Sequence, residues 1–180
     1  PQQSANLITR WCSGHLKIDV YRSALNNQDR FLGRKTLVIS GERAEESAAR
    51  KHYNVFEPDH TDNRHGTRRI RWVDRWRPIH GWTEEQVWQI IERYKILPHP
   101  AYRIGWGRLS CAACIFGSDQ QWASLKQVNP VQFNRVADYE EAFGVTIDRK
   151  KQTVRERIAG VEAYKHMKDD DIEQALARKY

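Results

Sequence analysis

Long hydrophobic runs are absent from this 180-residue sequence. No stretch approaches the roughly 18 consecutive apolar residues that a membrane-spanning helix needs, so we expect no transmembrane segment. The opening residues, PQQSANLITRWC, show no basic start followed by an apolar core, and no secretory signal is visible. The sequence therefore predicts a cytoplasmic protein that has no membrane partner.

Cysteine is also scarce, with only three residues: Cys12, Cys111 and Cys114. An odd number this small excludes a framework of structural disulfides. In the cytosol we expect such thiols to be reduced or bound to a metal. Internal repeats and low-complexity tracts are likewise not found in the sequence.

What the sequence does contain is an ordinary globular composition with an excess of positive charge. Hydrophobic residues make up 39 % and charged residues 29 % of the chain. The length is enough for one domain, or one domain and a fragment, with a buried core. The formal net charge of +7 favours anionic partners such as nucleotides, sulfonucleotides or nucleic acid.

The positive charge is concentrated in residues 64–77, RHGTRRIRWVDRWR, which hold six arginines and one aspartate. The bidentate fork of arginine suits phosphate groups. This segment is therefore either a polyanion-binding site or a solvated basic loop whose tryptophans pack into the core. The candidate polyanion-binding residues are Arg64, Arg68, Arg69, Arg71, Arg75 and Arg77.

Two of the three helices predicted in the first hundred residues have apolar positions that could face a core. Residues 13–25 read as a short helix, and residues 82–94 are the clearest helix of the chain. In the second, Thr83 and Gln86 have the spacing of a capping box, and apolar residues recur with helical period. The apolar positions expected to face a core in the first helix are Leu16, Val20 and Leu25.

Between these helices, a strand, a glycine turn and a helix are predicted in succession. Residues 36–40, TLVIS, read as a buried parallel strand, followed by Gly41 and the helix-prone stretch AEESAARKHY. That geometry directs backbone N–H groups and a helix dipole at an anion. A second strand is predicted near residues 70–73.

The chain after Phe116 reads as a helical appendix. Asn129 and Pro130 form an N-cap and first-turn pair, and Gly144 is expected to end that helix. Two further helices are predicted over residues 153–166 and 169–179, the last one opening with three aspartates.

The cysteine spacing leaves several kinds of site open. Cys111 and Cys114 form a C-x-x-C, and Cys12 lies far upstream. Three thiolates could hold a four-iron, four-sulfur (4Fe–4S) cluster with one iron left to another ligand. They could instead hold zinc together with His15. The C-x-x-C could also be a redox pair, or all three thiols could simply be buried.

Four stretches in order along residues 10–117 resemble motifs of one family. RWCSGHLKIDVYRSAL is similar to its arginine–cysteine–x–lysine helix, and ISGERAEESAAR to its G-x-R-x-x-E-S-x-x-R segment. RPIHGWTEEQVWQII is similar to its P-I-x-x-W-S/T-x-x-D/E-V-W helix, and HPAYRIGWGRLSCAACIFG to its N/H-P-x-Y-x-x-G-x-x-R-x-x-C-x-x-C end. Together they resemble the phosphoadenosine-phosphosulfate (PAPS) reductase family of the adenine-nucleotide α-hydrolase-like (PP-loop ATP pyrophosphatase) superfamily.

This resemblance implies an α/β fold. Residues 1–118 are expected to be the C-terminal portion of a Rossmann-like adenine-nucleotide α-hydrolase domain, and residues 119–180 a helical extension. The S-G-G-x-D-S phosphate loop with which the family begins does not occur here. We therefore expect the chain to start in the middle of the domain, to encode half of the nucleotide site, and to need the other half for catalysis.

The resemblance also implies site residues. The expected nucleotide- and phosphate-binding residues are Gly41, Arg43, Ser47 and Arg50, and the expected metal ligands are Cys12, Cys111 and Cys114. Lys17 would neutralise charge at the α-phosphate, and Arg108 would reach the nucleotide or polarise a cysteine thiolate. The simpler alternative for Arg43 and Arg50 is salt bridges with neighbouring glutamates.

The function implied is sulfur transfer that depends on ATP or a sulfonucleotide. No cysteine follows Cys114, which disfavours a reductase that uses a C-terminal nucleophilic cysteine. Similarity is greatest to the ATP pyrophosphatases of DNA phosphorothioation, which implies adenylylation with pyrophosphate release, a DNA partner, and a sulfur donor such as a cysteine desulfurase. The alternatives are a PAPS or adenosine-phosphosulfate reductase and a non-catalytic or zinc-stabilised nucleic-acid-binding module.

Overall fold

The protein is described here from a computed structural model that covers residues 11–109, 111–148 and 150–177. The chain divides into two compact units. Cys12–Leu97 form the sheet unit, and the helical unit is built from Pro98 onward. The predicted α/β class is confirmed, and the domain boundary expected after residue 118 lies inside the helical unit.

A three-stranded sheet forms the centre of the sheet unit, in the order β1-β3-β2. Its strands are β1 (Lys35–Ile39), β2 (Phe56–Pro58) and β3 (Trp72–Trp76). β1 runs parallel to β3, as predicted, with Lys35 opposite Trp72 and Ile39 opposite Trp76. β2 pairs antiparallel with β3 and was not predicted. The second predicted strand is present but begins two residues later than expected.

The prediction that β1 is buried was wrong. Leu37 and Ile39 are 49 % and 62 % exposed, whereas Thr36 and Val38 on the other face are half-buried. A continuous apolar run is typical of a parallel strand covered on both faces. In the described residues only one face of β1 is covered.

Three helical segments open the described chain: α1 (Trp11–Ser13), a π-helical turn (Gly14–Ile18) and α2 (Asp19–Asn27). The helix predicted over residues 13–25 is thus present, but its expected core face was wrong. Leu25 is buried, whereas Leu16 and Val20 are 73 % and 60 % exposed. A π-turn adds a residue per turn, so residues before and after it do not share the face that an unbroken α-helix would give them.

The glycine turn after β1 leads into a 3-10 turn (Ala44–Glu46) and the four-residue helix α3 (Ala48–Lys51). The predicted order of strand, turn and helix is confirmed. Helix α4 (Glu84–Arg93) begins as predicted, because the Thr83 hydroxyl accepts a hydrogen bond from the Gln86 N–H and the Gln86 side-chain oxygen accepts one from the Thr83 N–H.

The helical unit contains a 3-10 turn (Pro100–Tyr102) and helices α5 (Asp119–Val128), α6 (Pro130–Phe143), α7 (Val154–Arg157) and α8 (Asp169–Leu176). Its core joins residues before and after position 118. Buried there are Ile104, Trp106, Trp122, Leu125, Val128, Phe133, Ala137 and Val154. The segment that precedes α5 therefore packs with the helices that follow it.

Local capping signals predicted both ends of α6 correctly, but the predicted ends of the two later helices were wrong. Asn129 caps α6 and Gly144 ends it with a left-handed φ of 62°, as predicted. The helix predicted over 153–166 was too long, since only Val154–Arg157 is helical. The helix predicted over 169–179 ends at Leu176, and positions 178 and 179 lie outside the described residues. Among the helices described, none is long and apolar enough to cross a bilayer.

Candidate nucleotide and thiol sites

The expected phosphate-binding residues lie together in the sheet unit, just beyond the carboxyl end of β1. Because β1 and β3 are parallel, Gly41 and Arg77 emerge at the same edge of the sheet. An added Cβ at Gly41 would meet only Ile79 Cδ1, at the ordinary contact distance of 3.7 Å. No packing among the described residues thus requires glycine at position 41, which leaves space for a ligand to approach the backbone.

Both arginines of this segment bind glutamates. Arg43 Nη1 lies 3.0 Å from Glu45 Oε2, and the same guanidinium lies within 4 Å of Glu46 and Glu84. Arg50 pairs with Glu46. This is the simpler arrangement that the sequence left open, and a phosphate would have to exchange with these carboxylates.

Of the other expected nucleotide-site residues, Ser47 caps a helix and Lys17 is exposed. The Ser47 hydroxyl accepts a hydrogen bond from Arg50 N–H, so it caps α3. Helix α3 is only four residues long, and the helix dipole expected to attract an anion is correspondingly small. Lys17 is exposed on the π-turn, and no hydrogen bond or ion pair in the described chain joins it to Gly41–Arg50.

The basic segment 64–77 is largely neutralised within the sheet unit. Arg64 pairs with Asp62 and Asp74, and Arg77 lies 2.7 Å from both Glu42 and Glu57. Burial opposes the charge of Arg77, but these hydrogen bonds outweigh it and raise the pKa of its guanidinium.

Arg69, Arg71 and Arg75 are also bound internally. Arg69 pairs with Asp29, and the buried Arg71 donates to the Thr61 carbonyl oxygen at 2.9 Å. Arg75 pairs with Asp59. Arg68 differs from the other five because it is exposed and has no carboxylate partner among the described residues. Polyanion binding by all six arginines stays a prediction.

A buried network around Asp59 was not predicted from the sequence. Asp59 accepts hydrogen bonds from the Tyr21 hydroxyl at 2.8 Å and from the Thr61 hydroxyl at 2.7 Å. Burial opposes ionisation of Asp59, but the hydrogen bonds from Thr61, Arg75 and Tyr21 outweigh it and lower its pKa to about 2. Burial and the nearby Asp59 raise the pKa of Tyr21 to about 12. The spacing of Asp59 and Thr61, which suits an Asx turn, was the only local signal.

The C-x-x-C lies in the helical unit, on the turn that leads into α5. Cys111 is exposed and Cys114 is buried. A hydrogen bond from the Cys111 thiol is the main cause that lowers the pKa of Cys114 to about 6. The backbone N–H groups of Phe116 and Gly117 and the charge of Arg108 lower it further, whereas burial opposes them. Which of its two expected roles Arg108 fills stays a prediction.

A small cavity of about 240 Å³ adjoins the exposed thiol. Its walls include Ile104, Trp106, Leu125 and Val128, together with Cys111 and Arg108. It is therefore an apolar pocket with one sulfur and one cation in its lining.

Structural zinc and 4Fe–4S clusters are typically bound by four ligands. The expected site would supply three of them from cysteines and leave one position to another ligand. Cys111 and Cys114 supply two sulfurs, and Cys12 belongs to the sheet unit. Nowhere in the described ranges do three His, Cys, Asp or Glu side chains come together as a metal site. Metal binding by Cys12, Cys111 and Cys114 together stays a prediction.

Comparison with known proteins decides the family. The family model described as "phosphoadenosine phosphosulfate reductase domain" matches residues 2–116, more than half of the chain. The chain belongs to the PAPS reductase family. This confirms the resemblance drawn from the four motifs.

One relative of the chain is a bacteriophage protein. The "uncharacterized 37.8 kDa protein in gpa 5'region" of Escherichia phage 186 is 32 % identical over 149 residues. That match covers 80 % of this chain but 41 % of the phage protein, so the chain spans about two fifths of the relative's length. No solved structure matches the chain.

Proposed function

We propose that the chain is a nucleotide-contacting part of an ATP pyrophosphatase that serves sulfur insertion, most specifically the sulfur insertion of DNA phosphorothioation. The observation that supports this best is the family match over residues 2–116. That match includes β1, the glycine turn and α3, which carries Arg50. The activity belongs to a whole protein, of which this chain spans about two fifths in the phage relative.

The proposed nucleotide site lies beyond the carboxyl ends of β1 and β3. In open α/β sheets, ligands bind outside the carboxyl ends of the strands. The Gly41 backbone would approach a phosphate, and Arg43 would exchange Glu45 and Glu84 for phosphate oxygens. Ser47 and Arg50 would contact the same group from the start of α3.

The proposed reaction is an in-line displacement at the α-phosphate of ATP. An oxygen of the acceptor attacks the α-phosphorus, the bond to the bridging oxygen breaks, and pyrophosphate leaves. Lys17 would stabilise the negative charge that develops on the transferred group. A terminal persulfide sulfur on a donor such as a cysteine desulfurase then attacks the adenylylated group and expels AMP, and a thiol reduces the resulting S–S bond to leave the sulfur on the acceptor.

The choice of nucleotide separates the proposed function from its alternative. Calorimetric titration of the full chain with ATP and with PAPS measures both dissociation constants under one set of conditions. Tighter binding of ATP supports the pyrophosphatase. Tighter binding of PAPS favours a sulfonucleotide reductase, and no binding of either favours a non-catalytic module.

A DNA acceptor is supported by the net charge of +7 and by the exposed Arg68. Each phosphate contact that releases a counterion steepens the fall of affinity with salt. Binding of duplex DNA should therefore weaken markedly between about 50 and 200 mM salt. The Arg68→Ala variant should show a shallower salt slope, whereas a salt-independent affinity would count against a DNA partner.

A further inference from the structure

The cavity of about 240 Å³ described above opens into the core of the helical unit. Four of the side chains that line it are core residues, each no more than 8 % exposed: Ile104, Trp106, Leu125 and Val128. Protein cores are close-packed and leave few voids larger than a water molecule. A space of this size among core side chains is therefore a candidate binding pocket.

The size and lining of the cavity suit an apolar ring. An apolar cavity of about 150 Å³ is large enough to bind benzene, so this larger one has room for a bicyclic aromatic group. The Trp106 side chain gives the lining an aromatic surface, and contacts between aromatic rings stabilise a complex beyond the area that they bury. A nucleotide is larger than this cavity, so ATP is not its expected occupant.

The walls of the cavity are held in place by contacts within the helical unit. Trp106 Nε1–H donates to the Ala112 carbonyl oxygen at 3.4 Å, and the Trp106 ring packs edge-on against Tyr164, with 5.9 Å between the ring centroids. Helix α8, which supplies another wall, is joined to the opposite side by Arg103 Nε, 2.7 Å from Asp171 Oδ1. A preformed pocket loses less free energy on ordering when a ligand binds.

Arg108 gives the cavity a cation without a counterion. Its side chain is exposed and lines the cavity, and within the described ranges no carboxylate forms an ion pair with it. No aspartate or glutamate is among the lining residues of the described chain. His99 also lines the cavity, and its Nδ1 accepts a hydrogen bond from Ala101 N–H at 3.1 Å. An apolar pocket with one such guanidinium is complementary to an anion that has an apolar body.

We propose that this cavity binds a small aromatic carboxylate, with the ring among the core side chains and the carboxylate on Arg108. The inference does not depend on the proposed nucleotide chemistry, because every residue involved lies in the helical unit. It assigns no role to Cys111 or Cys114 and therefore holds whether or not the thiols bind a metal.

The test compares two probes of the same shape by calorimetric titration of the full chain. Naphthalene-2-carboxylate carries the negative charge, and naphthalene-2-carboxamide is its neutral counterpart. We expect one carboxylate to bind per chain, at least about tenfold more tightly than the amide, because a hydrogen bond to a charged group adds that much affinity.

Two variants separate the cation from the cavity. Arg108→Gln should bring the affinities of the two probes within about twofold of each other, because it removes the charge and leaves the walls intact. Ala175 lines the cavity from α8, and Ala175→Phe would fill part of the space, so it should weaken both probes at least about tenfold. The matched control is Arg135→Gln, an exposed arginine on α6 outside the lining, which should leave both affinities within about twofold.

Failure of the carboxylate to saturate the chain at about 1 mM would overturn the proposal. So would equal affinities of the two probes, or a preference for the carboxylate that survives in Arg108→Gln. Unchanged binding in a folded Ala175→Phe variant, checked by circular dichroism, would place the ligand outside the cavity. The Arg108→Gln result decides the role of the cation even if Ala175→Phe does not fold, because Arg108 is exposed.

Discussion

Arg75 Nη2 lies 2.6 Å from Asp59 Oδ2, and the Asp59 side chain is fully buried. This ion pair joins β3 to the loop after β2, and the Tyr21 hydroxyl brings α2 into the same network. The arginine-rich segment of the sequence thus has a structural use in the sheet unit. That use was not expected, because the sequence suggested either an anionic ligand or a solvated basic loop.

Removing the arginine from this pair should destabilise the protein strongly. Arg75→Met leaves the Asp59 carboxylate buried without its cation, which typically costs about 3–5 kcal/mol. Urea denaturation followed by tryptophan fluorescence measures the loss in the free energy of unfolding. Arg68→Met is the matched control, since Arg68 is exposed, and it should change that free energy by less than about 0.5 kcal/mol. Equal losses in the two variants would contradict the assigned role of Arg75.

Stability should also fall in acid because of Asp59. Its pKa in the folded protein is about 2, below the roughly 3.9 of an unfolded chain. A lowered folded pKa gives stability that is complete above about pH 4 and is lost as the pH falls toward 2. Asp59→Asn should therefore flatten the dependence of unfolding free energy on pH in this window. Asp29→Asn, on a side chain that is 84 % exposed, should keep the slope of the original protein.

Glu140 should be important for the helical unit. This buried carboxylate accepts hydrogen bonds from Ile147 N–H at 2.9 Å and Val154 N–H at 2.7 Å, so it fixes the chain between α6 and α7. Glu140→Gln should lower the free energy of unfolding by about 2 kcal/mol, since one N–H loses its charged acceptor. The neighbouring Glu141→Gln, on an exposed position, provides the comparison in the same denaturation assay. A larger effect at Glu141 would show that Glu140 does not hold this loop.

Substitution of Gly117 should destabilise the protein more than substitution of Gly107. A Cβ at Gly117 would lie 3.0 Å from the Cys114 carbonyl oxygen and 3.1 Å from Gln121 Cδ, whereas a Cβ at Gly107 would meet no atom within 4 Å. Gly117→Ala should therefore destabilise the protein by about 1–3 kcal/mol through overpacking. Thermal melts of the two alanine variants measure the difference, and equal melting temperatures would contradict the close packing of this turn.

The features that the sequence predicted well depend on neighbours along the chain. The capping box of Thr83 and Gln86 and the cap pair Asn129 and Pro130 need only a few adjacent residues, and the structure confirms both helix starts. Gly144 likewise ends α6 because a left-handed residue was needed there. The family could also be predicted from the sequence, because four of its motifs occur in order along the chain.

The features that the sequence did not predict depend on distant partners. Whether Arg75 binds a phosphate or a carboxylate is decided by Asp59, which folding brings beside it. The exposure of Leu16 follows from a π-turn that no local signal marked, and the exposure of Leu37 follows from a sheet covered on one face. Residue type and spacing alone could not distinguish these outcomes.

The central claim, that this chain contributes an adenine-nucleotide site, is tested most directly by calorimetric titration of ATP into the chain and its Arg43→Ala variant. We expect saturable binding that weakens about tenfold or more in the variant, which corresponds to the roughly 1.5–3 kcal/mol of a charge-assisted hydrogen bond. Lys51→Ala, a neighbouring exposed cation, is the matched control and should leave the affinity within about twofold. Equal affinities of the original chain and the Arg43→Ala variant, or no binding at millimolar ATP, would contradict the assignment of the site.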